Sequence, residues 1–201
     1  MTDHQSFHSS SIALFGTSAD PPTQGHKTIL EWLSYHYDQV AVWAADNPLK
    51  SQQTPLKHRM KMLELMIASL NTSKHNVQLY SELSSPRSIE TVEKAEDIWG
   101  KKAAFTFVIG SDLVTQISRW YASQELLQRV NLLIIPRPGY PPTEKELKIL
   151  EEMGTTYQVA DLNAPPVSST AYRENGKTDV VDDSVRSYIQ EQNLYSWKTI
   201  N

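Results

Sequence analysis

Two segments of the chain, one near each end, carry residue types that suit a phosphate group. The first, residues 16–26, is a glycine-containing loop that leads into a predicted helix. The free backbone amides and the positive dipole end at a helix start attract an anion, and Thr23 and His26 would add a hydroxyl and an imidazole there. A plain strand–helix connection with a proline turn explains this segment equally well when it is taken alone.

The second segment, residues 167–173, opens a short predicted helix with hydroxyl side chains. The hydroxyls of Ser168, Ser169 and Thr170, together with the free amides of a helix start, suit phosphate oxygens. Arg173 lies in the first turn and could offer two parallel N–H donors to the same group. Ordinary capping by Ser and Thr beside a surface arginine is the simpler explanation of this segment taken by itself.

Both segments belong to an alternation of short apolar runs and helical patterns. The apolar runs are residues 12–15, 39–44, 76–80, 104–109, 132–135 and 156–160. The runs are continuous rather than alternating, which is typical of strands buried on both faces. The pattern predicts an α/β fold with a doubly wound parallel sheet of five to six strands and helices on both faces. Ligands of such sheets bind beyond the carboxyl ends of the strands.

Local signals predict how several helices begin. Thr54 is expected to cap the second helix, with Pro55 in its first turn, and Asp182 is expected to cap the last one. Thr143 and Glu146 have the spacing of a capping box. The second helix is expected to bury one face, formed by Leu56, Met60, Leu63, Ile67 and Leu70.

The composition excludes several classes of protein. The 201 residues contain no cysteine, which excludes disulfide frameworks, cysteine zinc sites, iron–sulfur clusters and thiol catalysis and is compatible with a cytoplasmic location. With 19 Lys and Arg against 23 Asp and Glu, the net charge is −4, so the basic footprint of a nucleic-acid-binding protein is lacking. The longest apolar run, residues 40–45, is far shorter than the ~20 residues of a membrane span. We therefore expect neither nucleic acid nor a membrane as a partner.

The length of the chain fits one domain. Residues 1–10 are polar and are expected to form a flexible N-terminal arm, and residues 11–201 are expected to form a single domain. We find no internal repeat, low-complexity tract or interdomain linker. A homo-oligomer is compatible with this organisation.

The two segments together resemble the signature of a nucleotidyltransferase superfamily. Thr23-Gln24-Gly25-His26 is similar to its (H/T)xGH motif and residues 168–173 are similar to its SSTxxR motif, in the order found in the family. Further blocks resemble bacterial nicotinate-mononucleotide adenylyltransferases, the cyanobacterial type most of all. These blocks are residues 47–50, 58–59, 85–91, 107–112, 119–121 and 137–139. The resemblance implies a Rossmann-like fold and a single nucleotidyltransferase domain over residues 11–201.

The reaction implied by the resemblance is adenylyl transfer in NAD biosynthesis. The 5′-phosphate of nicotinate mononucleotide would attack the α-phosphorus of ATP, and deamido-NAD and pyrophosphate would form. The attacking oxygen is already anionic at neutral pH, so catalysis needs positioning and charge stabilisation rather than a protein nucleophile. Mg²⁺ would accompany ATP and be held mostly by phosphates and water. We therefore name no metal ligand in the chain.

The resemblance also implies which residues act. The catalytic residues would be His26, which donates to the α-phosphate, together with Thr23 and Arg173, which hold the phosphates. ATP is expected to bind at Gly16, Thr17, Ser18, Gly25, His26, Gly110, Asp112, Ser168, Ser169, Thr170 and Arg173. Asp112 would accept from a ribose hydroxyl, although its position also suits a helix cap. Nicotinate mononucleotide is expected to bind at Asn47, Lys50, Arg87, Ser88, Trp120, Tyr121 and Arg137. Trp120 would stack on the pyridine ring.

Two positions depart from the family pattern. Thr23 stands where many members have histidine, so binding of the leaving phosphates would rely more on Arg173. Arg87-Ser88 replaces a common aromatic–threonine pair, and we hypothesise that Arg87 contacts the nicotinate carboxylate directly. A surface arginine is an equally good explanation of Arg87.

Other interpretations of the same residues stay open. Without the resemblance, His58 and Arg59 suit exposed helix positions and Trp120 suits packing. The acceptor could instead be nicotinamide mononucleotide or phosphopantetheine. The protein could also be a non-catalytic nucleotide-binding sensor, but a sensor needs no transition-state charge compensation, so the presence of both His26 and Arg173 favours an enzyme.

Overall fold

The computed structural model describes residues 10–46, 53–137, 139–162, 164–176 and 178–195. In these parts of the chain, one sheet contains β1 (Ser11–Thr17), β2 (Gln39–Ala44), β3 (Val77–Leu79), β4 (Ala104–Gly110), β5 (Asn131–Ile135) and β6 (Tyr157–Val159). The strands are parallel and their order is β3-β2-β1-β4-β5-β6. The chain moves outward from β1 to β3 and then returns to the other side of β1 at β4. The predicted doubly wound parallel sheet is therefore confirmed.

The helices lie on both faces of the sheet, as predicted. They are α1 (Gln24–His36), α2 (Leu56–Ala68), α3 (Ser88–Trp99), α4 (Val114–Ile117), α5 (Ser123–Arg129), α6 (Glu144–Glu152), α7 (Ser169–Asn175) and α8 (Asp183–Glu191). Apolar residues of α1, α2 and α8 form one cluster with Ala13 and Phe15 of β1. Those of α3, α5 and α6 form a second cluster with Ile12 and Leu14 of the same strand. Because successive strand residues point to opposite faces, β1 is buried on both sides.

The strand ends line up along one edge of the sheet. Thr17 at the end of β1 pairs with Ala44 at the end of β2, and Gly110 at the end of β4 pairs with Ile135 at the end of β5. β1 is in register with β4 only as far as Leu14, so its last three residues have their described sheet partners on the β2 side. This leaves the crevice at which doubly wound sheets bind ligands, between the ends of β1 and β4.

Gly16 lies inside β1 rather than in a turn after it, which corrects the sequence interpretation. An added Cβ at Gly16 would lie 2.5 Å from Cζ2 and 2.8 Å from Nε1 of the Trp43 indole on the neighbouring strand. Close packing of an aromatic ring against the backbone is therefore the reason for glycine at this position. Gly25, in the first turn of α1, is less crowded, since the nearest atom to an added Cβ there is 3.5 Å away.

The Gly16→Ala variant is expected to be destabilised by about 1–3 kcal/mol, because overpacking a well-filled core costs roughly this amount. Thermal unfolding followed by circular dichroism measures the effect. Gly25→Ala is the matched control, since a methyl group there meets only ordinary van der Waals contacts. An unfolding temperature of Gly16→Ala equal to that of the wild type would contradict the packing explanation.

The start and the buried face of α2 differ from the prediction. Pro55 occupies the N-cap position and no side chain caps the helix, so the prediction of a Thr54 cap was wrong. The buried positions are Arg59, Met62, Leu63 and Met66. Of the predicted face, only Leu63 is fully buried, and the other four residues pack at its margin. The buried face of α2 therefore lies to one side of the predicted face. It includes Arg59, which a pattern of apolar residues does not detect.

Asp182 is the N-cap residue of α8, as predicted, but its side chain makes no capping bond. The carboxylate instead accepts hydrogen bonds from Gln24 Nε2 (2.8 Å), Lys27 Nζ (3.2 Å) and Ser69 Oγ (2.8 Å). Burial alone would raise the pKa of Asp182, but these donors outweigh it and lower the pKa. The cluster ties α1, α2 and α8 together beside the start of α1.

Two further expectations concern the surface and the N-terminus. The capping box at the start of α6 is confirmed, since the Thr143 hydroxyl accepts from the Glu146 amide and the Glu146 carboxylate accepts from the Thr143 amide. The predicted N-terminal arm, residues 1–10, lies outside the described residues except for Ser10. Among the described helices, none is long and apolar enough to cross a membrane.

Candidate active site

His26, in the first turn of α1, is held by hydrogen bonds at both ring nitrogens. Its Nδ1 lies 3.1 Å from the Thr23 backbone nitrogen and 2.9 Å from the Thr23 hydroxyl, while its Nε2 lies 2.9 Å from Thr17 Oγ1. A backbone amide can only donate, so Nδ1 is an acceptor and the ring proton belongs on Nε2. The side chain therefore presents an N–H donor at the carboxyl end of β1.

The His26 ring is neutral at physiological pH. Burial lowers its pKa to about 4, and the positive charge of Arg137 acts in the same direction. At neutral pH the ring can therefore stabilise a phosphate as an uncharged hydrogen-bond donor, and it is not a cation. This agrees with chemistry that needs stabilisation of developing charge and no proton transfer from the protein.

Histidine-selective nitrogen NMR is expected to show His26 as the neutral Nε2-protonated tautomer between about pH 5.5 and 8, with titration near pH 4. Between its ordinary pKa of 6.5 and about 4, the unfolded chain binds a proton at His26 that the folded chain does not bind. The free energy of unfolding is therefore unaffected by this group above about pH 6.5, and it decreases as the pH falls from there towards about 4. A ring that titrates near its ordinary pKa would contradict the assignment.

Thr23 acts on His26 in this arrangement. Thr23 is fully buried and is the N-cap residue of α1, and its carbonyl accepts the amides of His26 and Lys27. The sequence analysis expected its hydroxyl to hold the phosphates directly. The structure places that hydroxyl against Nδ1 of the imidazole, where it can orient the ring.

The second phosphate segment meets the first, although about 150 residues separate them in the chain. Ser169 Oγ donates to the Pro21 carbonyl at 2.7 Å. Arg173 Nη1 donates to the Asp20 carbonyl, and its Nη2 donates to Thr170 Oγ1 at 3.2 Å. Ser168 Oγ accepts from the Ala171 amide and caps α7, as the simpler sequence interpretation expected. The Arg173 side chain is exposed at this junction.

Gly110, Asp112 and Arg137 form a compact group at the ends of β4 and β5. Asp112 Oδ2 lies 2.7 Å from Arg137 Nη1, while Asp112 Oδ1 is buried and has no hydrogen-bond partner among the described residues. An added Cβ at Gly110 would lie 2.4 Å from that oxygen, so a larger residue at this position would displace the Asp112 carboxylate. A buried acceptor without a donor is costly, and a ligand hydroxyl at Oδ1 would remove the cost.

Of the residues expected to bind the nicotinate nucleotide, Arg87 and Ser88 lie at the start of α3, and Trp120 and Tyr121 lie between α4 and α5. The Arg87 guanidinium carbon is 4.1 Å from the centroid of the Tyr121 ring, and Nη1 is 3.5 Å from Glu90 Oε1. Ser88 is the first residue of α3. Trp120 is half-buried and meets Phe107 edge to face at 6.4 Å, so it packs on the core as well. Asn47 and Lys50 lie outside the described residues.

Arg59 lies next to the site, and the sequence analysis gave it no role there. Residues 58–59 resembled a block of the family, and exposed helix positions explained them equally well. Arg59 is buried, and it donates to the carbonyls of Ser18, Ala45 and Thr54. His58 is half-buried, and its Nδ1 lies 2.8 Å from the Tyr188 hydroxyl. The available signal was helical spacing, because Arg59 precedes the buried residues of α2 by three, four and seven positions.

A hydrogen bond between Asp20 and Tyr195 also joins distant parts of the chain, and the sequence did not indicate it. Asp20 is buried in the loop between β1 and α1, and Tyr195 donates its hydroxyl to Asp20 Oδ1. Burial and the acceptor carboxylate raise the pKa of Tyr195, so the phenol stays protonated. The Tyr195 ring also meets the Tyr172 ring of α7 edge to face at 5.8 Å. Tyr195, near the C-terminus, therefore holds the loop between β1 and α1 in place.

The donor set of the site suits anions rather than a protein-held metal. It consists of a neutral imidazole, hydroxyls, helix-start amides and guanidinium groups. Within the described ranges, no group of three or more His, Cys, Asp or Glu side chains could hold a metal ion.

Sequence comparison identifies the family to which the chain belongs. The profile of the cytidylyltransferase-like family matches residues 14–175, a range that contains both phosphate segments. The chain belongs to this family. A probable nicotinate-nucleotide adenylyltransferase of Synechocystis sp. is 44% identical over 196 residues, with 92% of this chain and 98% of the relative covered. The nicotinate-nucleotide adenylyltransferase of Bacillus subtilis is 29% identical over 196 residues, with 92% and 97% covered.

A solved structure shares the fold of this member of the family. It is the Plasmodium falciparum nicotinic acid mononucleotide adenylyltransferase complexed with NaAD, with a TM-score of 0.78, 22% identity and coverage of 92% of this chain and 97% of that one. The comparisons confirm the resemblance to bacterial nicotinate-mononucleotide adenylyltransferases, the cyanobacterial type included.

Proposed function

We propose that this protein transfers the adenylyl group of ATP to nicotinate mononucleotide, giving deamido-NAD and pyrophosphate in NAD biosynthesis. The observation that carries the proposal is the junction of residues 20–26 with residues 169–173. It combines the neutral His26 donor with the Arg173 guanidinium at the carboxyl end of β1. The relatives are nicotinate-nucleotide adenylyltransferases by name, which supports the same acceptor here.

The chemistry follows from the charges. An oxygen of the acceptor phosphate forms a bond to the α-phosphorus, the bond from that phosphorus to the bridging oxygen breaks, and pyrophosphate leaves with the electron pair. The Nε2–H of His26, which lies 2.9 Å from Thr17 Oγ1, exchanges this acceptor for a non-bridging α-phosphate oxygen, and Thr23 keeps the proton on Nε2. A donor held in place at this position stabilises the charge that develops in the transition state. The catalytic group in this proposal is His26, with Thr23 orienting it and Arg173 on the leaving phosphates.

ATP occupies the crevice between the ends of β1 and β4 in this proposal. The triphosphate lies on the start of α1 and against α7. The residues that bind ATP are Gly16, Thr17, Ser18, Gly25, Gly110, Asp112, Ser168, Ser169, Thr170 and Arg173. Asp112 Oδ1 accepts from a ribose hydroxyl, which is supported by its burial without a partner. A Mg²⁺ ion bound to the phosphates of ATP would neutralise part of their charge, and it would be held mostly by phosphate and water oxygens.

The acceptor lies beside the starts of α3 and α5. Trp120 stacks on the pyridine ring, and Arg87 contacts the nicotinate carboxylate with a charge-assisted hydrogen bond. The contact of Arg87 with the ring of Tyr121 supports this role, because it holds a long, exposed side chain against the residue that follows Trp120 in the chain. Ser88, Tyr121, Arg137, Asn47 and Lys50 complete the acceptor residues in the proposal.

The Arg87→Ala variant is expected to raise KM for nicotinate mononucleotide about fivefold, because a half-exposed charge-assisted hydrogen bond contributes about 1 kcal/mol. KM for ATP and the KM for nicotinamide mononucleotide, which lacks the carboxylate, should stay unchanged. Steady-state kinetics with both pyridine nucleotides measures the effect, and Arg129→Ala is the control, since Arg129 bonds only Glu93, Glu96 and Glu125 among the described ion pairs. An unchanged KM for nicotinate mononucleotide in Arg87→Ala would show that Arg87 does not contact the carboxylate.

Pyrophosphate release with Mg·ATP tests the proposed function. The acceptors compared are nicotinate mononucleotide, nicotinamide mononucleotide and phosphopantetheine. We expect turnover on the first that clearly exceeds turnover on the other two. Equal activity on both pyridine nucleotides would keep the reaction and remove the proposed carboxylate selectivity. Turnover of phosphopantetheine alone would overturn the acceptor, and ATP binding without any turnover would overturn the enzyme.

The setting of the reaction is part of the proposal. Residues 11–201 act as one nucleotidyltransferase domain, and the reaction takes place in the cytoplasm. The lack of cysteine is compatible with that compartment. Homo-oligomer formation stays a prediction from the sequence.

A further inference from the structure

Arg59, in the first turn of α2, is a buried arginine whose guanidinium is held by backbone carbonyls. Only 2% of the residue is exposed. Its Nε donates to the Thr54 carbonyl at 2.8 Å, and its Nη1 donates to the carbonyls of Ser18 at 3.0 Å and Ala45 at 2.8 Å. Ser18 follows β1, Ala45 follows β2 and Thr54 precedes α2. One side chain therefore joins three separate parts of the chain.

The charge of Arg59 is not explained by packing. Burial lowers the pKa of Arg59, while the nearby carboxylates of Asp20 and Asp46 act in the opposite direction. Burying a charge costs free energy that a methionine or leucine at the same position would not cost. The three carbonyls that the guanidinium satisfies are therefore the reason for an arginine here.

The Ser18 end of this network leads to the phosphate site. Ser18 belongs to the loop of residues 18–22 between β1 and the cap of α1, which we call the phosphate loop. Its Asp20 carbonyl accepts from Arg173 and its Pro21 carbonyl accepts from Ser169. On the other side, the Tyr195 hydroxyl donates to Asp20. Displacement of the phosphate loop would therefore also displace the contacts of α7.

We propose that Arg59 is a positioning residue that fixes the phosphate loop to the end of β2 and to the start of α2. The phosphate loop in turn places Arg173 against the triphosphate. The bonds to Ala45 and Thr54 hold the guanidinium on the framework, and the bond to Ser18 transmits that position to the loop. A guanidinium can do this because its donors form a rigid planar fork, whereas a lysine ammonium is a single compact group on a flexible stem. The inference rests on the proposed function only for the identity of the bound triphosphate.

The test is Arg59→Lys, which keeps a basic side chain but cannot bond all three carbonyls in the same geometry. We expect KM for ATP to rise about fivefold and kcat to fall about tenfold, as for loss of an interaction that aligns the reacting groups. KM for nicotinate mononucleotide should change less than about twofold. A purely structural role would lower the concentration of active enzyme, which reduces apparent kcat and leaves both KM values unchanged.

Arg129→Lys is the matched control, because Arg129 is bonded to glutamates of α3 and α5 and its kinetics should equal the wild type. Arg59→Met removes the charge and should show the same pattern more strongly; if it does not fold, Arg59→Lys decides. A folded Arg59→Lys protein with wild-type KM for ATP would overturn the inference. Wild-type protein without turnover would instead overturn the proposed function, and calorimetric titration with a non-hydrolysable ATP analogue would then decide on Arg59, with about fivefold weaker binding expected in Arg59→Lys.

Discussion

Replacing His26 with alanine is expected to lower kcat about 100- to 1,000-fold, because removal of one fixed donor to developing charge typically has an effect of this size. The ring is neutral and already oriented by Thr23, so its loss removes a hydrogen bond that is strongest in the transition state. KM for ATP should change little. Pyrophosphate release at saturating concentrations of both substrates measures kcat.

The control for this variant is His36→Ala, at the other end of the same helix. His36 is exposed and stacks on Trp32 at 3.7 Å, outside the proposed site, so its replacement should leave kcat unchanged. Thermal unfolding should accompany the assay, because His26 also takes part in the capping box of α1. A loss of kcat below about fivefold in folded His26→Ala would contradict the role assigned to the imidazole.

The Arg173→Ala variant is expected to raise KM for ATP about 30-fold and to lower kcat as well. A guanidinium bound to phosphate makes charge-assisted hydrogen bonds, and losing them costs about 2 kcal/mol, which corresponds to that factor. The effect should be large in this chain because Thr23 stands where a histidine would add a second possible cation. Arg173→Lys should recover part of the affinity, because it restores the charge without the planar fork.

Steady-state kinetics with ATP varied at saturating acceptor measures this change. Arg186→Ala is the control, since Arg186 is another arginine near the C-terminus and bonds Asp183 on its own helix. KM for ATP should equal the wild-type value in the control. An unchanged KM for ATP in Arg173→Ala would show that the arginine serves only to hold Asp20 and Thr170.

The sheet could be predicted from the sequence because its signals are local. Continuous apolar runs separated by helical patterns are typical of parallel strands joined by helical crossovers. The strand order itself was not predicted, because doubly wound sheets occur with more than one order. The same arrangement places the candidate site at the strand ends, because ligands of such sheets bind there. The resemblance then implied roles for His26 and Arg173, which come from opposite ends of the chain and meet at the same loop.

The contacts between distant segments could not be predicted, because they depend on which side chains the folded chain brings together. A glycine such as Gly16 suggests a turn, yet glycine is required at this position because the Trp43 indole of the next strand packs against it. Asp182 has the signal of a helix cap, yet its carboxylate binds Gln24, Lys27 and Ser69. The N-cap position of Asp182 was predicted correctly, but its side-chain partners and the contact of Gly16 with Trp43 are tertiary contacts that local propensity does not indicate.

The burial of Arg59 was indicated by its spacing from the buried residues of α2. The spacing was not used, because a charged residue is usually assigned to the solvent face. A polar residue on a helix is normally assigned to the solvent face, and Arg59 shares its spacing with Met62, Leu63 and Met66. A charged residue on an apolar stripe indicates a buried polar network, because burial without partners would be too costly. That network is what joins the phosphate loop to the rest of the fold.

The most direct test of the central claim follows the phosphorus atoms of ATP. The protein is incubated with nicotinate mononucleotide and Mg·ATP radioactively labelled at the α-position or, in a parallel reaction, at the γ-position. The α-label should appear in deamido-NAD and the γ-label in pyrophosphate, in equal amounts, and both should form about 100- to 1,000-fold more slowly in His26→Ala. Release of the γ-label as inorganic phosphate, or of the α-label as free AMP with no dinucleotide, would contradict adenylyl transfer.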